Sequence, residues 1–361
     1  MNVHARTLAA ALIASGCGDG EQNSVIETEY LSISVDPDTP LCRGSLLDYD
    51  QDFERISTLT GLPPNGRLEV AYGQPFVDAM CPDGSGGCVS NFGAETWVAA
   101  DDTESLVHEL VHASRRQHFL LGPRSIEEGL ANVLRAREGL PSRFTFQSTL
   151  YGGPAQLWPL QPDAFYAVDS SYVSSGSIIR WMVQAYGQET VMDFVNDDAL
   201  LRDAEFDEVL SALDRHLGVS LEALDTRWTD EVDLVYNLGD PCTAATTFDL
   251  DEVMAFSDRH DCDNAEDTID ARDIGDGWQS QSRVRCIRVT EPRVLRMSLD
   301  ALGGTAIMAP ASHDCEPPTW HKEVAAPGEP VEFEAAPCTW RLWFAAPVET
   351  VTDWQVELIA L

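Results

Sequence analysis

The chain has 361 residues, with 23 Lys+Arg against 60 Asp+Glu, a formal net charge of −37 and 44% hydrophobic residues. That length accommodates one or two domains with ample core, and the apolar content excludes a disordered acidic polymer. The charge argues against DNA, RNA and anionic membrane surfaces as partners, because their phosphates would be repelled.

The first residues carry an export pattern. Residues 1–16 read MNVHARTLAAALIASG and are followed by Cys17. Arg6 supplies a short positive region, Thr7 to Ala14 an apolar one, and Ala14-Ser15-Gly16 small residues before the cysteine. This resembles the lipobox of bacterial lipoproteins. The resemblance implies that residues 1–16 are removed, that Cys17 is acylated, and that residues 17–27 form a polar tether. An ordinary signal peptide cleaved nearby is the alternative. Gly18 is not the Asp that retains some lipoproteins on the inner membrane, so an outer-membrane location in the cell envelope is expected. The lipid would be the only membrane contact, since no other apolar run reaches the roughly 18 residues of a spanning helix.

With Cys17 acylated, eight of the nine cysteines remain, an even number in an oxidising compartment. They are Cys42, Cys81, Cys88, Cys242, Cys262, Cys286, Cys315 and Cys338, and no CxxC pair marks a cysteine metal site. Cys81 and Cys88 bound a glycine-rich loop that can close on itself. Cys262–Cys286 and Cys315–Cys338 are the next expected pairs, with Cys42–Cys242 by elimination.

Residues 28–237 alternate strand-like and helix-like segments, so this part is expected to be α+β. Strands are expected at Thr28–Val35, Arg67–Tyr72 and Glu95–Ala100, and helical spacing runs over Leu46–Thr60. From Asp102 to about Val235 the pattern is helical, and Gly239-Asp240-Pro241 breaks it. Residues 241–361 then show short β-type runs separated by Gly/Pro turns, at 282–289, 293–299, 331–334, 340–344 and 354–359. That pattern predicts a small disulfide-bearing all-β sandwich.

His108-Glu109-Leu110-Val111-His112 matches HExxH. Residues four apart on a helix are rotated by only about 40°, so both imidazoles face one way and can bind one Zn²⁺. Glu109 lies about 100° from His108, off the ligand direction but near a metal-bound water. Asp102 or Thr103 can cap this helix, and Leu106, Val107, Leu110 and Val111 predict its burial. The preceding Glu95–Ala100 is expected to be the edge strand that zincins lay beside substrate.

Two candidates exist for a third ligand. His118 has the metzincin spacing, but Arg115 stands where a glycine turn would be needed, so a continuing helix points His118 away. The other candidate lies in Ser125-Ile126-Glu127-Glu128-Gly129-Leu130-Ala131. Here the chain resembles the gluzincin metallopeptidases, in particular the bacterial peptidase MA-like families. In these an EGxA segment opens a second helix and its Glu is the third ligand. The resemblance implies Glu128 as ligand, with Gly129 and Ala131 packing on the HExxH helix. Glu127 is the fallback ligand and is otherwise expected to be an acid favoured at a helix N-terminus.

The run from Ser171 to Gly187 (SYVSSGSIIRWMVQAYG) and Phe206 to Trp228 extend the likeness, which covers about residues 26–236. It implies a zincin-like domain, a small mixed sheet with a mainly helical C-terminal subdomain, and an oxyanion-binding role for Tyr172. A packed aromatic is the alternative for Tyr172. A zinc metallopeptidase with Glu109 as general base, a peptide or protein substrate and no nucleic-acid partner is the expected function; a monomer is assumed. A non-catalytic surface or adhesion lipoprotein that keeps the fold is the rival. Asp258 to Asp276 is acid-rich but lacks EF-hand order, and a solvated loop is expected. His216, His260, His313 and His321 have no ligand-spaced partners. The aromatic-rich Leu157–Tyr166 is expected either to line a groove or to be a packed connection.

Overall fold

The computed structural model describes residues 24–82, 85–92, 95–120, 122–135, 153–160, 162–167, 171–198, 200, 205–231, 242, 247–250, 252–265, 268–273, 278–310 and 322–361. Cys17, the export segment, Cys315, His313 and His321 lie outside them. The described residues form a mixed α+β structure with three sheets and ten helices, and no helix among them is long and apolar enough to cross a membrane.

The first sheet has the order β1-β2-β3-β5-β4. Its strands are β1 (Ser24–Glu27), β2 (Leu31–Val35), β3 (Leu68–Tyr72), β4 (Gly87–Phe92) and β5 (Glu95–Ala100). β2, β3 and β5 run parallel, while β1 and β4 are antiparallel at the two edges. Every residue of β2 is buried, as expected of a parallel strand covered on both faces. The tether therefore ends earlier than expected, because Ser24–Glu27 pairs with β2. Helix α1 (Arg43–Thr60) crosses from β2 to β3 and buries Tyr49, Phe53 and Ile56, spaced by helical turns. Helix α2 (Gln74–Met80) follows β3.

The helical half comprises α3 (Thr103–Gln117), α4 (Arg124–Leu134), α5 (Pro154–Leu157), α6 (Pro162–Tyr166), α7 (Ser171–Tyr186), α8 (Gln188–Val195), α9 (Phe206–Leu217) and α10 (Leu221–Glu231). One apolar core runs continuously from the sheet through these helices. The run Leu157–Tyr166 begins on the last residue of α5 and ends in α6. Trp158 of that run stacks on Phe194. Gly129 corrects a second expectation: its close approach is to α7, not to α3. A Cβ there would lie 2.5 Å from the Ser175 carbonyl oxygen and 2.8 Å from Ile179 Cγ1.

Described residues from 247 onward contain strands and no helix. They are β6 (Thr247–Asp249), β7 (Val253–His260), β8 (Thr268–Asp273), β9 (Trp278–Ser282), β10 (Arg285–Arg288), β11 (Arg293–Asp300), β12 (Thr305–Pro310), β13 (Glu323–Ala325), β14 (Val331–Ala335), β15 (Thr339–Pro347) and β16 (Thr352–Ala360). A seven-stranded and a four-stranded sheet share a second core. Alternate residues enter it: Trp340, Leu342, Phe344 and Ala346 from β15, and Trp354, Val356 and Leu358 from β16. Part of the acid-rich stretch from Asp258 is strand rather than loop, because β7 and β8 extend into it.

Two expected disulfides are corrected. Cys42 pairs with Cys262 and Cys242 with Cys286, while Cys81–Cys88 is found as expected. Cys338 is also disulfide-bonded. Topology explains both changes. β6, just after Cys242, runs parallel to β10 with Cys286 opposite Thr247. Cys42 caps α1 where Arg43 N donates to the Cys262 carbonyl oxygen at 2.8 Å, so the end of β7 abuts that helix. The bidentate Arg283–Asp48 pair, at 3.0 and 2.5 Å, adds a second tie between the two parts. A non-reducing proteolytic digest analysed by mass spectrometry should recover Cys42–Cys262, Cys81–Cys88 and Cys242–Cys286 peptides.

His260 is fully buried against Phe344, with Ser280 Oγ 3.0 Å from its Nε2. Burial pushes its pKa from the ordinary 6.5 down to about 4. The folded chain thus favours the neutral ring. Above pH 6.5 that preference is fully expressed; as pH falls towards about 4, the unfolded chain takes up a proton that the folded one refuses, and stability drops. The urea midpoint should fall more between pH 7 and 5 in the wild type than in His260→Gln.

Candidate metal centre

Helix α3 follows β5, and the Asp102 side chain accepts a hydrogen bond from Ser105 N at 2.7 Å, a cap worth about 1 kcal/mol. Leu106, Val107, Leu110 and Val111 are buried, which places His108, Glu109 and His112 inside the protein with them. The helix ends at His118, and Phe119 reverses the chain with φ 62°, a backbone region a non-glycine residue enters at a cost. The side chain of His118 leaves the site, its Nε2 2.8 Å from the Pro63 carbonyl oxygen. Pro123 then opens α4, which returns alongside α3 and carries Glu128 inward.

Three donor atoms converge there. His108 and His112 Nε2 are 3.2 Å apart, and Glu128 Oε2 lies 2.9 Å from the first and 3.4 Å from the second. Among the described residues this is the one group of three His, Cys, Asp or Glu side chains so arranged, and all three are buried. Burial alone would keep His112 neutral, yet the Glu128 carboxylate beside it and contacts with Glu127 and Glu128 raise its pKa to about 10. Against burial, the same imidazoles hold Glu128 well below the usual carboxylate range. A single proton satisfies at most two of these crowded lone pairs, whereas a divalent cation satisfies all three. Two imidazole nitrogens and one carboxylate oxygen thus fit a metal of the zinc type.

Arg124 divides the Glu128 carboxylate. Its NH1 donates to Oε1 at 3.0 Å, leaving Oε2 for the cluster. Glu109 is buried nearby, and burial, opposed by His112 and His108, raises its pKa. Over it runs the start of β4. A Cβ on Gly87 would lie 3.0 Å from Glu109 Cγ and 2.9 Å from the Ala99 carbonyl oxygen, so only glycine lets the strand pass this close. This corrects the expected edge: β4, not β5, is outermost. Cys81–Cys88 and a hydrogen bond from Arg116 NH1 to the Val89 carbonyl oxygen hold β4 in place.

Tyr172 opens α7 half-exposed, its ring 6.3 Å from that of His108. Asn132 Nδ2 donates to the Tyr172 carbonyl oxygen at 2.8 Å and fixes that end of α7 to α4. Burial first, and then the Glu128 charge, raise its phenol pKa above the ordinary value. Tyr166 stands 6.1 Å from it, with the Arg124 guanidinium 5.2 Å above the Tyr166 ring. Leu157–Tyr166 thus both packs, through Leu157, Trp158 and Phe165, and presents Tyr166 at the site.

Sequence reasoning missed Arg124 and Gly87, while Tyr166 closed the aromatic-rich run expected either to line a groove or to pack. Gly87 carried a signal, in the glycine-rich run before Cys88. Glu127 is the first-turn acid expected of α4, and it is in addition buried in an ion pair with Arg115, which the sequence did not show.

No protein-family model matches the chain, and no curated protein matches it significantly. Equilibrium dialysis followed by elemental analysis should find one tightly held divalent ion per chain. His112→Ala or Glu128→Ala should weaken it by more than about 100-fold, beyond what loss of an outer-sphere residue does.

Proposed function

We propose that the chain is a zinc-dependent metallopeptidase of the gluzincin type, anchored to the bacterial cell envelope through a lipid on Cys17. The observation that carries this reading is the placement of Glu109 beside a buried His108–His112–Glu128 cluster and beneath an edge strand. His108, His112 and Glu128 would hold Zn²⁺, which when bound supplies Lewis acidity and a water of lowered pKa.

The chain's own residues do the rest. An extended peptide can add to β4, the outermost strand of the sheet, which would align its backbone over Glu109. Glu109 accepts the proton of the attacking water at its carboxylate and delivers it to the leaving amine. Its burial raises its basicity for the first transfer. Tyr172 remains a phenol through the neutral range and donates a hydrogen bond to the oxygen of the attacked carbonyl as charge develops there. Arg124 keeps Glu128 from turning its second oxygen inward. The substrate class is a peptide or protein.

With zinc content equal to wild type, Glu109→Gln should lower casein or peptide-library hydrolysis by about 10²–10⁴-fold. Tyr172→Phe should lower it by about 10²–10³-fold at unchanged zinc content. Hydrolysis that survives Glu109→Gln would overturn the proposal.

A further inference from the structure

Arg115 and Glu127 form a buried pair that the reaction itself does not use. Arg115 is 1% exposed and Glu127 is 5% exposed. Arg115 Nε donates to Glu127 Oε1 at 2.9 Å and to Oε2 at 3.0 Å. Its NH1 donates to Asn196 Oδ1 at 2.8 Å and its NH2 to the Val195 carbonyl oxygen at 2.7 Å. Gly122 N donates to Glu127 Oε1 at 2.7 Å. Asn196 in turn donates to the Thr60 carbonyl oxygen at 2.7 Å. One guanidinium therefore joins α3, α4 and the end of α8, with α1 one bond further on.

Stability alone is a weak reason to keep such a pair. Desolvating both charges cancels much of their attraction, and apolar residues of similar volume often serve as well. The direction of the carboxylate supplies another reason. Glu127 Oε2 faces His112 Nδ1 at 3.8 Å, within ion-pair reach and beyond hydrogen-bond length. Arg115 lies one turn after His112 on α3, so the cation that holds Glu127 and the ring that Glu127 faces share one helix face. His108 differs, since its Nδ1 is buried without a hydrogen-bond partner.

We propose that Glu127, clamped by Arg115, is a positioning residue that sets the tautomer and ring orientation of His112. The proposal rests on the reading of His108, His112 and Glu128 as a zinc centre. A carboxylate at Nδ1 favours the proton on that nitrogen. The Nε2 lone pair is then free and aimed at the cluster, where His108 Nε2 and Glu128 Oε2 meet it. Carboxylates behind ligating imidazoles commonly work this way, here from the residue directly before the ligand Glu128.

The test measures zinc affinity by competition with a chromophoric chelator in the full chain, for wild type, Glu127→Gln and Asn196→Ala. Asn196→Ala cuts the same Arg115 network on the side away from His112. Folding is checked by circular dichroism and melting temperature. Glu127→Gln should weaken zinc about 10–100-fold while folded. Asn196→Ala should lower the melting temperature and leave zinc affinity as in wild type. A folded Glu127→Gln with wild-type affinity overturns the proposal, and so does an equal loss in both variants, which would make the role purely structural. A wild type that takes up no zinc overturns the underlying reading as well.

Should Glu127→Gln not fold, the zinc-loaded wild type labelled with ¹⁵N-histidine decides. His112 is expected to carry an exchange-protected proton on Nδ1. An unprotonated Nδ1, or one exchanging as fast as that of the half-buried His118, overturns the proposal.

Discussion

Glu128 is 3% exposed and shares its Oε2 between two imidazole nitrogens that are themselves 3.2 Å apart. Burying three lone pairs so close together, one of them on a carboxylate, is costly unless positive charge stands among them. That constraint organises the N-terminal part. It requires a helix apolar enough to be buried yet carrying two histidines one turn apart, and a second helix returning to deliver the acid. Leu106, Val107, Leu110 and Val111 meet the first demand, and the reversal at Phe119 followed by Pro123 meets the second.

The surrounding structure then fixes each group from behind. Arg124 occupies Glu128 Oε1, Arg115 occupies Glu127, and Asn132 ties α4 to the start of α7. Gly129 lets α4 and α7 approach closely, which holds Tyr172 at the rim. On the opposite side Gly87 brings an edge strand down over Glu109, and the Cys81–Cys88 bridge anchors that strand's first residues. Opening the buried Arg115–Glu127 pair would cost about 3–5 kcal/mol, comparable with a large share of a domain's net stability. The all-β part is tied to this assembly by Cys42–Cys262 and Arg283–Asp48.

Local patterns were legible where one periodicity dominated. The buried α3 could be read from its apolar neighbours, and β3, β5 and β16 from alternation or apolar content. What escaped depended on distant partners. β4 hides in GCVSNF, which shows little strand character until β5 pairs with it. Cys42 and Cys242 could not be matched from spacing, because the partner of each is set by where β7 and β6 lie. Glu127 and Glu128 are adjacent acids at one helix start. What separates their roles is Arg115, read from the sequence only as a break in the metzincin spacing. Gly129 showed a need for close packing, but the expected partner, the HExxH helix, is not the one it meets most closely; Ser175 and Ile179 of α7 are. The HExxH pair was legible because helical geometry brings residues four apart to one side, whereas the acid before Gly129 was reached through the resemblance of its EGxA segment.

Glu109, Tyr172, Arg124 and Glu127 have the proposed roles only if His108, His112 and Glu128 form a zinc centre. X-ray absorption at the zinc edge, on the zinc-loaded full chain, tests it most directly. Two histidine nitrogens at roughly 2.0–2.1 Å and carboxylate or water oxygens at roughly 2.0–2.2 Å are predicted, with no sulfur shell. A sulfur shell near 2.3 Å, or a coordination sphere of oxygen alone, would contradict it.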